Sequence, residues 1–337
     1  MNKTIILVIP HHFGIFEGFV SNLEKLGFDI ELVYLSDTEF RYKNISERIT
    51  NFFLKNIFRN KGYKKNLKEK YDDRCLTEAL LKINKKVDFA LVIRPDYFSP
   101  ETLQILKNKA TEMIAYQWDG LNRYPKVKGV ISLFDRFYLF DYDDYTGYKS
   151  TYSNLYPTNN FYFDSEWNVE NTIKRQEKEA FFIGSFIENR IDEIIYITTI
   201  FQELKIKTNI NLLYFDEKRH LRYQRSGIHF SDKPLTYFEV LEMVKKSDVV
   251  LDFVDSVHNG LSLRTFEALR FSKKLITNNV LVKGYDFYSE NNILVWENVL
   301  DREALKDFLD RDYQKIDYDI LSEYSFTNWI HTVLNLK

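Results

Sequence analysis

Short, unbroken apolar runs recur along this chain, each followed by a longer stretch of helical periodicity, and that alternation constrains the fold more than any other feature. Residues 4–9 read Thr-Ile-Ile-Leu-Val-Ile, and 30–35, 88–93, 112–116 and 135–140 have the same character. A strand that is apolar on both faces must be covered on both, which the helical crossovers of a parallel sheet provide. The first unit is complete: strand 4–9, the loop Pro10-His11-His12-Phe13-Gly14, an amphipathic helix over roughly 15–27, a stop at Gly27 and strand 30–35. A helix is expected at 100–109. A second series starts near Glu179, with strand 180–183, a tight turn at Gly184-Ser185 and a helix opened by Asn189-Arg190. Strand 210–214, helix 236–246, strand 248–252, a helix from Leu263 and strand 274–277 follow.

At 337 residues the chain exceeds one ordinary core and fits two domains of about 150 residues each. The periodicity breaks between 150 and 178, at Tyr156-Pro157-Thr158-Asn159-Asn160 and the charged region 174–178. The expected domains are therefore 1–160 and 175–320. A hydrophobic fraction of 45%, with 28 Phe and 23 Tyr, excludes a disordered chain. The fold class expected is α/β, with two Rossmann-like domains facing a cleft.

The 47 basic and 49 acidic residues leave a formal net charge of −2, so no global field draws nucleic acid to the surface. The single cysteine, Cys75, excludes a disulfide framework, offers no zinc site of the usual kinds and fits a reducing compartment. The apolar run 4–9 is too short for a signal sequence, and no run of 18 apolar residues occurs. A cytoplasmic protein is expected, at most peripheral to a membrane. Segment 41–71 mixes Arg41, Lys43, Arg48, Lys55, Arg59, Lys61, Lys64, Lys65, Lys68 and Lys70 with Ile45, Ile49, Phe52, Phe53, Ile57 and Phe58. Such a basic amphipathic segment either packs its apolar stripe on the domain or lies on an anionic surface such as the inner face of a membrane.

Residues 258–278 concentrate the chemistry. Gly260 suits a strained turn and Ser262 suits the N-cap of a helix starting near Leu263. The unpaired N–H groups and positive dipole end of that helix suit a diphosphate, and Arg264 in its first turn adds a charge-assisted contact. Glu267, one turn on, is placed to accept ribose hydroxyls; the structural alternative is an ordinary Arg264–Glu267 ion pair on a surface helix. Asn259 and Ser262 are further candidates for donor contact. So are Ser185 and Arg190, at the corresponding strand end earlier in that half, where a structural turn is the alternative.

The run Arg264-Thr265-Phe266-Glu267-Ala268-Leu269-Arg270-Phe271-Ser272-Lys273-Lys274-Leu275-Ile276-Thr277 resembles the C-terminal-domain signature of GT-B glycosyltransferases, particularly the CgeB-like and group 1 families. Two positions depart from it. Asn259 stands where group 1 retaining enzymes usually place a second glutamate, which leaves retention or inversion open, and Ser272 stands where glycine is common. The resemblance covers 258–278 and is architectural elsewhere. It implies transfer of a sugar from a nucleotide-sugar donor in the second half to a glycan or lipid-linked acceptor in the first. It further implies a place in bacterial surface polysaccharide synthesis, lipopolysaccharide or capsule, and a last helix, 320–336, that returns to the first domain. A non-catalytic two-lobed binding protein and a nucleotide-sugar epimerase of the same fold are the competing readings.

Sugar transfer also calls for a base near the acceptor. Ligands collect at the carboxyl ends of parallel strands, so His11, His12, Asp96, Asp119 and Asp141–Asp144 are expected on one rim. Asp119, after a buried strand and beside Trp118, is the leading carboxylate. Its alternative role is to cap its own turn. His11 or His12 would titrate near neutral pH; otherwise both order their loop. Asp141-Tyr142-Asp143 has the spacing of a metal-binding pair but lies in the wrong half, so metal-independent transfer is expected. The Gly-rich dinucleotide fingerprint, the phosphate loop and the hydrolase elbow are all missing.

Overall fold

A computed structural model describes residues 2–35, 40, 42–56, 62–164, 177–215, 219–224, 227–254, 259–297 and 299–336. The chain divides into two compact units, Met1–Thr158 with Val333–Lys337, and Asn159–Thr332.

In the first unit, β1 (Thr4–Pro10), α1 (Ile15–Lys25) and β2 (Asp29–Leu35) form the expected βαβ start. Helices α2 (Ile45–Asn56) and α3 (Gly62–Lys82) lead to β3 (Val87–Ile93), α4 (Pro100–Lys109) and β4 (Ala110–Gln117). Then come β5 (Arg136–Leu139), α5 (Tyr142–Tyr148) and β6 (Leu155–Pro157). The strands pair in parallel in the order β2-β1-β3-β4-β5-β6. Ile6 and Val8 join Val92, Ala115, Leu103 and Leu106 in one core, while Ile5, Leu7 and Ile9 are equally buried on the opposite face. Burial on both faces is why these strands read as continuous apolar runs.

The second unit holds β7 (Glu179–Ser185), α6 (Ile191–Glu203), β8 (Lys207–Leu213), β9 (His229–Ser231), α7 (Tyr237–Lys246) and β10 (Val249–Asp252). It continues with α8 (Leu263–Arg270), β11 (Lys274–Thr277), β12 (Ile293–Val295), α9 (Arg302–Asp310), α10 (Tyr318–Glu323) and α11 (Phe326–Leu334), whose last two residues are counted with the first unit. The parallel order β12-β11-β10-β7-β8-β9 is the doubly wound Rossmann order. Phe182, Ile194, Ile197, Phe201, Leu251, Ile276 and Phe308 share its core. Phe161, Phe163, Phe326 and Trp329 pack edge to face or tilted in a further buried group, so part of the aromatic content serves packing instead of sugar stacking.

Helix ends follow local rules. Helix α1 closes on Gly27 (φ 81°), with Phe28 N–H bonded to Leu23 O and Gly27 N–H to Glu24 O. Helices α6 and α8 close with the same pattern on Lys205 (φ 56°) and Ser272 (φ 51°), residues that carry the strain glycine avoids.

Several expectations shift. Gly184 and Ser185 are not a turn: β7 runs through both, paired with Leu212 and Leu213 of β8. Asp141–Asp144 is not a loop either. Asp141 Oδ1 accepts the N–H groups of Asp143 and Asp144, which makes it the N-cap of α5. The segment 41–71 forms α2 and the start of α3, and Arg41, Ile57, Phe58, Arg59 and Lys61 lie outside the described residues. The single helix at 320–336 is two, α10 and α11. Strands β6, β9 and β12, three residues each, are too short for periodicity to reveal.

Candidate functional site

In the second unit the chain winds outward from β7 toward β9, returns, and winds the other way from β10 to β12. The carboxyl ends of β7 and β10 therefore mark the topological switch point, the position at which doubly wound sheets bind ligands. Arg190, just before α6, donates from Nη1 to Phe253 O (3.0 Å) and from Nη2 to Ser185 O (3.1 Å), tying the two strand ends together. Gly184 permits this approach, since a Cβ there would come within 3.2 Å of Arg190 Nη2 and 3.1 Å of the Phe182 ring. Ser185 thus contributes its carbonyl.

Ser262 has the extended backbone of an N-cap (φ −70°, ψ 161°), yet its hydroxyl does not cap α8. It donates to Asp252 Oδ1 at 2.7 Å, while Thr277 Oγ1 donates to Oδ2 at 3.0 Å. Asn279 N–H continues the chain to Thr277 Oγ1 (3.1 Å), and Asn279 Nδ2 reaches Asn259 O (3.1 Å). Ser185 and Arg190 therefore share one hydrogen-bonded group at the ends of β7 and β10, and Ser262 and Asn259 a second one at the ends of β10 and β11. Asp252, Thr277 and Asn279 are the second group's unforeseen members. Their one sequence signal is a polar residue at the end of an apolar strand. Gly260 is buried, and the strained turn expected there is not seen: left-handed backbone among the described residues of this unit falls at Lys205, Gly227 and Ser272. His258 lies outside the described residues.

Arg264 and Glu267 do pair, Nη1 to Oε2, but not on a surface helix. Helix α8 is enclosed from Thr265 to Leu269, and Glu267 is 1% exposed instead of standing at an accessible edge. Glu267 is thus the enclosed partner of the pair and Arg264 the more exposed one. Glu267 Oε1 and Arg264 Nε are buried with no hydrogen-bond partner. Glu267 also lines a small cavity with Tyr162, Phe163, Tyr237, Leu241, Arg270 and Phe271. Burial, with the Glu267 carboxylate adding to it, pushes the Tyr237 hydroxyl well above the usual tyrosine range.

The carboxyl rim of the first unit has a different centre. Arg94, after β3, takes left-handed backbone (φ 62°) and is 4% exposed. Its Nε and Nη2 donate to Asp96 Oδ1 (2.6 Å) and Oδ2 (2.8 Å), and Nη1 donates to Asp119 Oδ2 (2.5 Å). Tyr124 and Tyr97 lie 4.0 and 4.9 Å from the guanidinium carbon. Burial opposes this charge, but Asp96 and then Asp119 outweigh it and raise the arginine pKa. Arg94 engages Asp119 Oδ2, and Arg123 lies 3.8 Å from Oδ1. The His12 ring stands 5.3 Å from Trp118, so His12 and Asp119 share a rim, whereas His11 turns to Phe16 on α1 at 5.3 Å. Residues 12–14 are left-handed in succession (φ 31°, 58° and 84°), a tight exit from β1.

No protein family and no curated protein matches the sequence. Solved structures do match. The chain superposes on the N-terminal domain of a Candida albicans trehalose-6-phosphate phosphatase with a TM-score of 0.62 at 12% identity, covering 98% of this chain and 96% of that one. A UDP-forming α,α-trehalose-phosphate synthase from Burkholderia vietnamiensis gives 0.58 at 9% identity, over 99% and 97%. A Listeria monocytogenes structure described as a UDP-N-acetylglucosamine 2-epimerase gives 0.53 at 9% identity, over 100% and 98%. At such identities the likeness is one of fold. The chain carries two Rossmann-like domains, the GT-B architecture.

Proposed function

We propose that this chain is a glycosyltransferase that takes a sugar from a nucleotide donor and passes it to a glycan or lipid-linked acceptor. The observation that supports it is the switch-point rim of the second unit, where Ser262 and Asp252 hold the start of α8 without a side-chain cap and Arg264 lies in its first turn. Uncapped N–H groups beside a guanidinium offer a diphosphate both hydrogen bonds and charge. In this proposal Arg264 meets the donor phosphates and Glu267 fixes the guanidinium. The first unit is assigned the acceptor, with Asp119 and His12 as the groups that remove its proton. The resemblance of residues 264–277 favours a bacterial surface polysaccharide, lipopolysaccharide or capsule, as the acceptor class.

The test is nucleotide release from a panel of uridine-, guanosine-, thymidine- and cytidine-linked sugars, with and without acceptor glycans and with and without a chelator. Release that requires acceptor and ignores the chelator is expected. Isomerised donor in the absence of acceptor would make the chain an epimerase, and binding without turnover would make it a binding protein.

A further inference from the structure

Helix α2 is built inside out. Ile45, Ile49, Phe52 and Phe53 fall within one face of the helix, and that face is the exposed one: 76%, 50%, 61% and 49% of these residues are accessible. The opposite face, Glu47, Thr50, Asn51 and Leu54, is the partly buried one, and Asn51 Nδ2 donates to the Tyr42 hydroxyl at 3.0 Å. The helix does not owe its form to burying the stripe. Glu47 N–H donates to Asn44 Oδ1 (2.8 Å) and Lys43 N–H to Glu47 Oε2 (2.8 Å), a reciprocal cap at its start. Of the two readings open to segment 41–71, the exposure of Ile45, Ile49, Phe52 and Phe53 favours contact with an anionic surface.

The charge around the stripe limits what covers it. Residues 41–71 carry ten lysines and arginines against Glu47 and Glu69, in a chain whose formal net charge is −2. Arg48 and Lys55 are exposed beside the apolar face, and Lys43, Lys64 and Lys70 are exposed nearby. A second copy would set this positive charge against itself. No described helix is long and apolar enough to cross a membrane. An apolar face flanked by cations fits an anionic phospholipid surface, with the rings at the acyl boundary and the cations among the headgroups.

We propose that α2 docks this protein on an anionic bilayer through Ile45, Ile49, Phe52 and Phe53, flanked by Arg48 and Lys55. The proposal does not depend on the transfer reaction. Cosedimentation of the full chain with vesicles of phosphatidylcholine alone, or with one third phosphatidylglycerol, tests it. Binding only to the anionic vesicles is expected, weakening several-fold when salt rises from 0.1 to 0.5 M, in keeping with a screened surface attraction. Phe52→Ser/Phe53→Ser and Arg48→Glu/Lys55→Glu should each weaken binding tenfold or more with an unchanged circular dichroism melt, since these side chains are exposed. Equal binding to neutral vesicles, no binding at lipid excess, or wild-type binding by the Phe52→Ser/Phe53→Ser chain would overturn it. So would a wild-type dimer that this variant converts to monomer, which would show that the face meets another copy.

Discussion

In the first unit Arg94 is enclosed by two carboxylates and two tyrosine rings; in the second, Arg264 meets one carboxylate and remains one-fifth exposed. Both arginines follow strand ends of parallel sheets. The first donates to Asp96 and Asp119 from all three guanidinium nitrogens. The second keeps an unpartnered Nε and stands in the first turn of an uncapped helix. The ion cluster around Arg94 is saturated, whereas the one around Arg264 is only partly satisfied.

The largest expected effects separate these two states. Arg94→Met leaves two enclosed carboxylates, and Arg264→Met leaves one; each should cost about 3–5 kcal/mol in urea unfolding, the first more. Adding Glu267→Gln to Arg264→Met should recover most of the loss, while adding Asp96→Asn to Arg94→Met should recover only part, because Asp119 stays charged. Equal recovery in both would erase the contrast. Nucleotide binding should vanish in the Arg264→Met/Glu267→Gln chain even where stability returns.

Asp119→Asn sharpens the division of labour next. Turnover should fall roughly 100-fold, the scale of a lost general base, with donor affinity unchanged. Unchanged turnover in a steady-state assay would remove Asp119 from the proposed chemistry and leave it as a tie to Arg94.

A smaller contrast lies in how lysines cap carbonyls. In the first unit, Lys109 Nζ reaches Ile83 O (2.7 Å) from the partly open surface. In the second, Lys274 is buried and donates to Phe308 O and, at 2.6 Å, to Arg311 O. Burial first, then repulsion from Lys178 and Arg311, lowers its pKa from 10.5 to about 8. Between those values the unfolded chain binds more protons than the folded one, so stability rises with pH through that window. The expected slope is about 1 kcal/mol per pH unit, read from urea midpoints at pH 7.5, 8.5 and 9.5. Lys274→Met should flatten it; an unaltered slope would assign the dependence to other groups.

The smallest effect concerns helix ends. Ser272→Gly should stabilise the second unit by up to about 1 kcal/mol, and Gly27→Ser should destabilise the first by a similar amount, because both positions are left-handed. Thermal melts that move the same way in both variants would break the pairing.

Much of this was open to sequence reading. Thr4–Pro10, Val87–Ile93 and Val249–Asp252 announce themselves because strands covered on both faces must be apolar throughout. Gly27 marks a helix end, and Asp119, His12, Ser262 and Arg264 do lie at strand or helix ends. The role of Arg94 was hidden, since its ion pair with Asp119 joins residues 25 positions apart. Ser262 was read as a cap because local rules favour one, and Asp252, ten residues away, took its hydroxyl instead.

The sequence by itself determined that the chain alternates strands and helices, holds more than one core and carries an arginine in the first turn of α8, because periodicity and capping are local properties. Tertiary structure alone decided that Glu267 is enclosed, that Arg190 spans two strand ends and that the apolar stripe of α2 faces outward. Those outcomes depend on which face of an element meets its neighbours. A helical period reports that a stripe exists, and only the packed molecule says which way it points.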